Sequence, residues 1–293
     1  MILLCAIASL WHMANLPKWL DSNLNCDMVI IEFLKAHDIT VRDYKNHVVQ
    51  PFEFFPEFPN TQPNLSKFVA SKDSLIYAHF LKTALARWSG ISLLADLGTG
   101  SAIPLISAVL NSPIDIDIVG IDVDTEALEV AKKNIELFHL EERIGLRQES
   151  MRNFLSQLNT HEQDRVGIAA NPPYMPCPID EEQFLPVNGG VDGSFYVEQI
   201  LNESRNIKYL ALQWGSVTNP VKVFKLISCF YRVEFVETWE VGFGKYSLSP
   251  AINSHLHSQR SKGLSSFSDD GESNPSQLIF VALLKPVSEH LNV

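Results

Sequence analysis

From Ile91 to Ser150 the sequence alternates short apolar runs with amphipathic stretches. The run "ISLLADLGTGSAIPLISAVL" reads as a strand, a glycine-containing turn and a helix from about Ala102. After it, "IDIVGIDVD" reads as a second strand, "TEALEVAKKNIELFHL" as an amphipathic helix and "RIGLRQES" as a third strand. Further strands are expected at 167–170, 208–213, 232–240 and 277–284. Strand, helix, strand, helix, strand is the order of a doubly wound, mostly parallel α/β sheet. Seven strands are therefore predicted, within a domain spanning 91–293.

Ahead of that domain lies an N-terminal extension, 1–90. The pattern "DMVIIEFLKAH" predicts a short amphipathic helix over 27–37, and "QPFEFFPEFPNTQPN" a proline- and phenylalanine-rich linker that packs. In "SKDSLIYAHFLKTALARW", Leu75, Ile76, His79, Phe80 and Leu85 recur at helical spacing, with Ser71 or Asp73 placed to cap the helix. The opening "MILLCAIASLWHM" has the length of a signal peptide's apolar region but no preceding Lys or Arg and no clean small-residue cleavage site. It is too short to span a bilayer as a helix. A docking helix is expected there, or a start at Met13 or Met28. Near the other end, 249–276 is rich in serine and turn formers and gives little reason for a fixed shape, so a flexible loop is expected.

Composition narrows the class. With 46% apolar and 19% charged residues among 293, the chain can bury a sizeable core and is neither disordered nor fibrous. A formal charge of -11 works against non-specific attraction to nucleic acid. Cys5, Cys26, Cys177 and Cys229 lack C-x-x-C spacing, so neither a zinc site nor a disulfide framework is indicated, and a reducing, cytoplasmic compartment is expected. The nine histidines show no ligand spacing, so no metal is expected. No membrane association is expected, and the oligomeric state is left open.

The first candidate chemistry is "ADLGTGS". Gly98 and Gly100 allow a tight turn at the carboxyl end of the first strand, where open parallel sheets bind ligands. Asp122 ends the second strand 22 residues beyond Gly100, where a carboxylate that holds ribose hydroxyls belongs. The turn lacks the third glycine of G-x-G-x-x-G, and no G-x-x-x-x-G-K-[ST] is present. A non-phosphorylated nucleoside, S-adenosyl-L-methionine, fits better than a dinucleotide or a nucleotide triphosphate. Asp96, Gly98, Thr99, Gly100, Asp122 and Val123 are the candidate cofactor residues, with Asp96 placed to orient the loop or face a methionine ammonium.

The second is "IAANPPYMP", a strand that stops at Asn171 and two prolines. Pro172 and Pro173 stiffen the main chain and remove competing donors. The Asn171 side-chain oxygen and the Pro172 carbonyl can each accept one N–H of a planar NH2, and Tyr174 offers a flat face for stacking. That is the requirement for directing an amide or aryl-amine nitrogen at an electrophilic methyl. The plainer reading, a strand ending at a turn, weakens once the motif follows both "DLGTG" and "GID".

At these residues the chain resembles class I S-adenosylmethionine-dependent methyltransferases carrying (D/N)PP(Y/F), and within them the HemK/PrmC family of release-factor glutamine N5-methyltransferases. That family follows "NPPY(I/V)P" with "GGxDGxxFY"; here "NPPYMP" precedes "NGGVDGSFYVEQIL". The likeness runs from about Lys72 to Ile227. It implies a Rossmann-like domain in which Asp96, Gly98, Gly100 and Asp122 bind the cofactor, with Asn171, Pro172, Pro173 and Tyr174 holding the substrate amide. It further implies a protein substrate, the Gly-Gly-Gln loop of a translation release factor. Two departures stand out. Ser150 occupies the place of an acid that contacts adenine, with Glu149 beside it, and "FVASKDS" replaces the family's "PRxxTE". Glu149, Ser150 and Asn171 complete the candidate cofactor set. Two other functions stay open: N6-methylation of adenine in RNA or DNA, and a catalytically silent, methyltransferase-like binding subunit.

Overall fold

A computed structural model of the chain describes residues 16–44, 71–112, 114–158, 163–178, 186–269, 271 and 274–287. The expected docking helix at the start and the proline-phenylalanine linker fall outside the described residues.

Within them, helix α1 (Asn25–Ala36) and strand β1 (Val41–Asp43) come from the N-terminal extension, followed by α2 (Lys72–Arg87). The main domain continues as β2 (Leu93–Leu97), α3 (Ile103–Leu110), β3 (Asp117–Asp122), α4 (Thr125–Leu137), β4 (Ile144–Gln148), α5 (Met151–Gln157) and β5 (Val166–Ala170). It closes with α6 (Phe195–Glu203), β6 (Tyr209–Gly215), α7 (Pro220–Phe230), β7 (Tyr231–Gly242), α8 (Pro250–Ser261) and β8 (Ser276–Pro286). All strands join one sheet in the order β1-β7-β8-β6-β5-β2-β3-β4. Strands β2 to β6 pair parallel, while β8 runs antiparallel between β6 and β7.

Helices cover the sheet in two groups. One runs α2, α3, α4 and the other α5, α6, α7, α1, each helix packed on the next. This is the doubly wound α/β fold that the alternating pattern predicts, with both sheet faces buried. The central strands accordingly carry near-continuous apolar runs: all five residues of β5 and six of the seven in β6 are buried.

Two parts differ from expectation. The sheet has eight strands rather than seven, because Val41–Asp43 pairs in parallel with Thr238–Glu240. Three residues, two of them charged, give no periodic signal. Beside this strand the Trp19 indole N–H donates to Glu240 at 2.9 Å, and Ile30, Phe33 and Leu34 of α1 enter the main core. Phe33 packs on Phe224 of α7 with ring centroids 4.4 Å apart.

The serine-rich stretch expected to be flexible contains helix α8. Ile252, Leu256 and Gln259 are buried along one face, at helical spacing. Its serines hold shape through hydrogen bonds: the Ser266 hydroxyl donates to the buried Asp27 carboxylate, and Ser266 N–H donates to the Ser216 carbonyl at 3.0 Å. Low apolar content masked this order because polar groups satisfied within the fold look, in sequence, like polar groups left for water.

Helix α2 begins with a capping box in which Ser71 and Ser74 exchange side-chain and backbone bonds. It ends at Trp88, whose indole lies against the backbone of β5. A Cβ added at Gly167 would sit 2.5 Å from the Trp88 ring. Gly167→Ala is expected to lower unfolding free energy by roughly 1–3 kcal/mol through overpacking. Denaturant melts of the two proteins check this, and coincident curves would contradict the contact.

Candidate functional site

Strand β2 lies between β3 and β5, so the chain reverses its direction of winding there, and a crevice opens beyond the strand ends. A cavity of about 550 Å³ occupies it.

The glycine turn forms one wall. Gly98 (φ 73°) and Gly100 (φ 56°) both take the left-handed conformation that side chains resist. Gly98 and Thr99 N–H donate to the Ile121 carbonyl at 2.8 and 3.0 Å. The Asp122 carboxylate accepts from Gly100 N–H at 2.9 Å and Asp124 N–H at 3.0 Å, tying the turn to the end of β3. A Cβ at either glycine would meet no atom within 4 Å, so the turn faces open space.

Below it, the buried Asp96 carboxylate accepts from the Tyr77 hydroxyl and the Thr99 hydroxyl, both at 2.7 Å. Burial pushes the Asp96 acid up to about 6. The two hydroxyls oppose that rise, and the charge of Asp122 adds to it.

The other wall is the stretch after β5. Asn171 Oδ1 accepts from Gln213 Nε2 at 3.0 Å. The Tyr174 hydroxyl donates to the Asp73 carboxylate on the first turn of α2, and the Tyr174 carbonyl accepts from the Thr218 hydroxyl at 2.9 Å. Burial raises the Asp73 acid, with the Tyr174 hydroxyl as the main opposing influence. Burial, reinforced by the charge of Asp73, likewise keeps the Tyr174 phenol protonated.

The glycine-rich segment from Asn188 braces this wall. Gly189 N–H donates to the Met175 carbonyl at 2.9 Å, Met175 N–H to Val187 at 2.9 Å and Cys177 N–H to Gly190 at 3.0 Å. A Cβ at Gly189 would stand 2.5 Å from the Gly193 carbonyl oxygen. One at Gly193 (φ 76°) would stand 2.4 Å from the Tyr174 carbonyl oxygen. Asp192 accepts from Ser194 and, at 2.8 Å, from Asn219. Burial works to raise the Asp192 acid, but these bonds prevail and hold it below the ordinary carboxylate range.

Of the residues singled out in sequence, Asp96, Gly98, Thr99, Gly100, Asn171, Pro172, Pro173 and Tyr174 all line the one cavity. Asp122 reaches it through the Gly100 amide. Val123 follows on the surface, 66% exposed. Glu149 N–H bonds the Asp122 carbonyl at 3.0 Å, while its side chain meets Gln157 and Arg147. The Ser150 hydroxyl caps α5 by accepting from Asn153 N–H at 3.1 Å. Neither Glu149 nor Ser150 lines the cavity. On α8, His255 Nε2 donates to the Val191 carbonyl at 2.7 Å and Arg260 covers Phe267.

Sequence reading missed Tyr77 and Gln213 and saw Asp73 only as a cap. Gln213 had one signal, a lone amide inside the apolar run "LALQWG". Among the described residues, no group of three or more His, Cys, Asp or Glu could hold a metal, and no helix is long and apolar enough to cross a membrane.

A release factor glutamine methyltransferase of Thermosynechococcus vestitus is 32% identical to this chain over 115 residues. A ribosomal protein uL3 glutamine methyltransferase of Bordetella pertussis is 32% identical over 136. The chain is similar to glutamine methyltransferases. The match to these two covers 36% and 42% of this chain and 38% and 44% of the relatives, so the chain spans less than half the length of the methyltransferases it matches. A family model described as ribosomal protein L11 methyltransferase (PrmA) matches residues 83–171. A solved precorrin-6y C5,15-methyltransferase from Geobacter metallireducens GS-15 aligns with a TM-score of 0.43 at 16% identity, covering 74% of this chain and 95% of that one.

Gly193→Ala tests the brace. The added methyl would force the Tyr174 carbonyl away, so the variant is expected to lose roughly 1–3 kcal/mol of stability. Amide hydrogen exchange at Met175 and Cys177 should accelerate. Unchanged protection at both amides would show that the two segments are independent.

Proposed function

We propose that this chain transfers a methyl group from S-adenosylmethionine to a planar amide nitrogen, a protein glutamine side chain. One observation carries the reading: the glycine turn and the Asn-Pro-Pro-Tyr stretch open onto the same cavity. The named relatives act, by their names, on a release factor and on ribosomal protein uL3, and a protein of that kind is the proposed partner.

The residues present fit the cofactor. The open space over Gly98 and Gly100 admits a ligand against the backbone, and Asp96 offers a carboxylate to an ammonium. Asp122 stands at the end of β3 for ribose hydroxyls. Val123, next along the chain, and Glu149, whose N–H bonds the Asp122 carbonyl, adjoin it and are the proposed neighbours of the adenosine. Bound there, S-adenosylmethionine supplies an electrophilic methyl on a sulfonium.

The chain does the rest. Asn171 Oδ1 and the Pro172 carbonyl accept the two hydrogens of the substrate NH2, which fixes the plane of the amide and raises electron density on nitrogen. The Tyr174 ring, its hydroxyl tied to Asp73, stacks on that plane. Methyl transfer leaves the nitrogen cationic and its remaining N–H strongly acidic, so the proton passes to solvent after the bond has formed and no general base is required. The four cysteines, which lack C-x-x-C spacing, support a reducing, cytoplasmic setting. The overall charge of -11 disfavours the adenine-methylating alternative.

Incubation with methyl-labelled cofactor and cell extract should place label in protein and not in nucleic acid. Asn171→Ala should cut transfer by about 100-fold while cofactor affinity is largely kept. Label in nucleic acid alone would overturn the substrate assignment.

The Asp96 acid gives a pH signature. Pairing with an ammonium favours the ionised form, so cofactor affinity should rise as pH increases through about 6, with proton uptake by buffer below that value. Calorimetry in buffers of different ionisation heat measures the released proton, and Asp96→Asn should abolish it. On the ligand-free fold the shift acts oppositely. The folded value lies above the ordinary 3.8, so this group's contribution to stability is complete below 3.8 and is lost as pH rises through about 6.

A further inference from the structure

Gln213 is fully buried in the middle of a strand whose neighbours Leu210, Ala211, Leu212 and Trp214 are also fully buried. Packing alone does not call for an amide here, and burying one costs stability wherever an atom goes unpaired. Its Oε1 has no hydrogen-bond partner among the described residues. Its Nε2 lies 3.0 Å from Asn171 Oδ1 and 3.1 Å from the Asp73 carbonyl oxygen.

These two distances decide how both amides are turned. A backbone carbonyl can only accept, so the end of Gln213 facing Asp73 is its NH2. The second hydrogen of that NH2 then meets Asn171, and the atom receiving it is oxygen. Turned the other way, Gln213 would aim an oxygen at the Asp73 carbonyl.

We propose that Gln213 is a positioning residue for methyl transfer, holding Asn171 with its oxygen as the acceptor toward the cavity. The inference rests on the amide-methylating reading of the site. An amide oxygen has two lone pairs. Gln213 takes one, which leaves the other for an N–H of the substrate. Rotation of Asn171 by half a turn would instead present NH2 to NH2, and Gln213 opposes that rotation. The same residue ties the loop to α2, where the Asp73 carboxylate takes the Tyr174 hydroxyl. Asn171 and Tyr174 are thus both anchored at one point, the first turn of α2.

The orphaned Oε1 separates this role from a structural one. Gln213→Leu removes both donated hydrogens and deletes the unpaired oxygen while filling similar volume. The melting temperature is expected to hold or rise and cofactor affinity to stay unchanged, while kcat on a glutamine peptide falls by roughly 10- to 100-fold. In an Asn171→Ala background the same change should lower kcat no further. Gln213→Glu keeps the shape but turns acceptor against acceptor, and should not restore turnover.

A second readout is independent of activity. In side-chain amide NMR of the full chain, both Gln213 NH2 hydrogens should exchange slowly, and Asn171→Ala should shift one and speed its exchange. Three results would overturn the proposal: equal kcat losses in both backgrounds, a lowered melting temperature with turnover intact, or no response of the Gln213 NH2 to Asn171→Ala. A wild-type protein with the NMR signature that methylates no glutamine would refute the functional reading and the positioning role with it, while confirming the bond.

Discussion

The site depends on one register. Leu97 of β2 pairs with Ile121 of β3 on one side and Ala170 of β5 on the other. The next residues along the three strands are Gly98, Asp122 and Asn171, so all three emerge from the sheet at one level. A slip of one residue in either pairing would send alternate side chains to the opposite face, and the buried apolar runs forbid it. Core packing thereby sets which polar groups meet in the crevice.

That register explains how much could be read beforehand. Strands β2 to β5 and helices α2 and α4 carry strong apolar periodicity, and the glycine turn, Asp122 and the Asn-Pro-Pro-Tyr stretch sit where it ends. What could not be read are interactions joining distant segments through single polar atoms. Asp73 and Tyr174 lie 101 residues apart, and Gln213 and Asn171 42. Neither pairing leaves a local pattern. Ser150 shows a second kind of role: its position in sequence suggested a ligand contact, and its hydroxyl also accepts from Asn153 N–H at the start of α5.

The segment "NGGVDG" gains a physical account. Its glycines are required because two backbones approach within van der Waals distance, with Tyr174 and Pro176 on one side and Gly189 and Gly193 on the other. The two motifs are therefore parts of one object, a pair of loops hydrogen-bonded along their length. On the function proposed above, its rigidity lets an asparagine and a carbonyl act as a gauge for a flat nitrogen.

The antiparallel strand β8 has a consequence for biosynthesis. It lies between β6 and β7, so β6 keeps an unpaired edge until residues 276–286 have been synthesised. Among the described residues, strand β7, synthesised earlier, has just the three residues of β1 beside it during that interval. An exposed edge of apolar residues such as Leu210 and Leu212 invites pairing with neighbouring nascent chains. Strand β8, the last of the described elements to be synthesised, must thread into a waiting gap, which makes the yield of folded protein sensitive to translation rate and to chaperones that shield that gap.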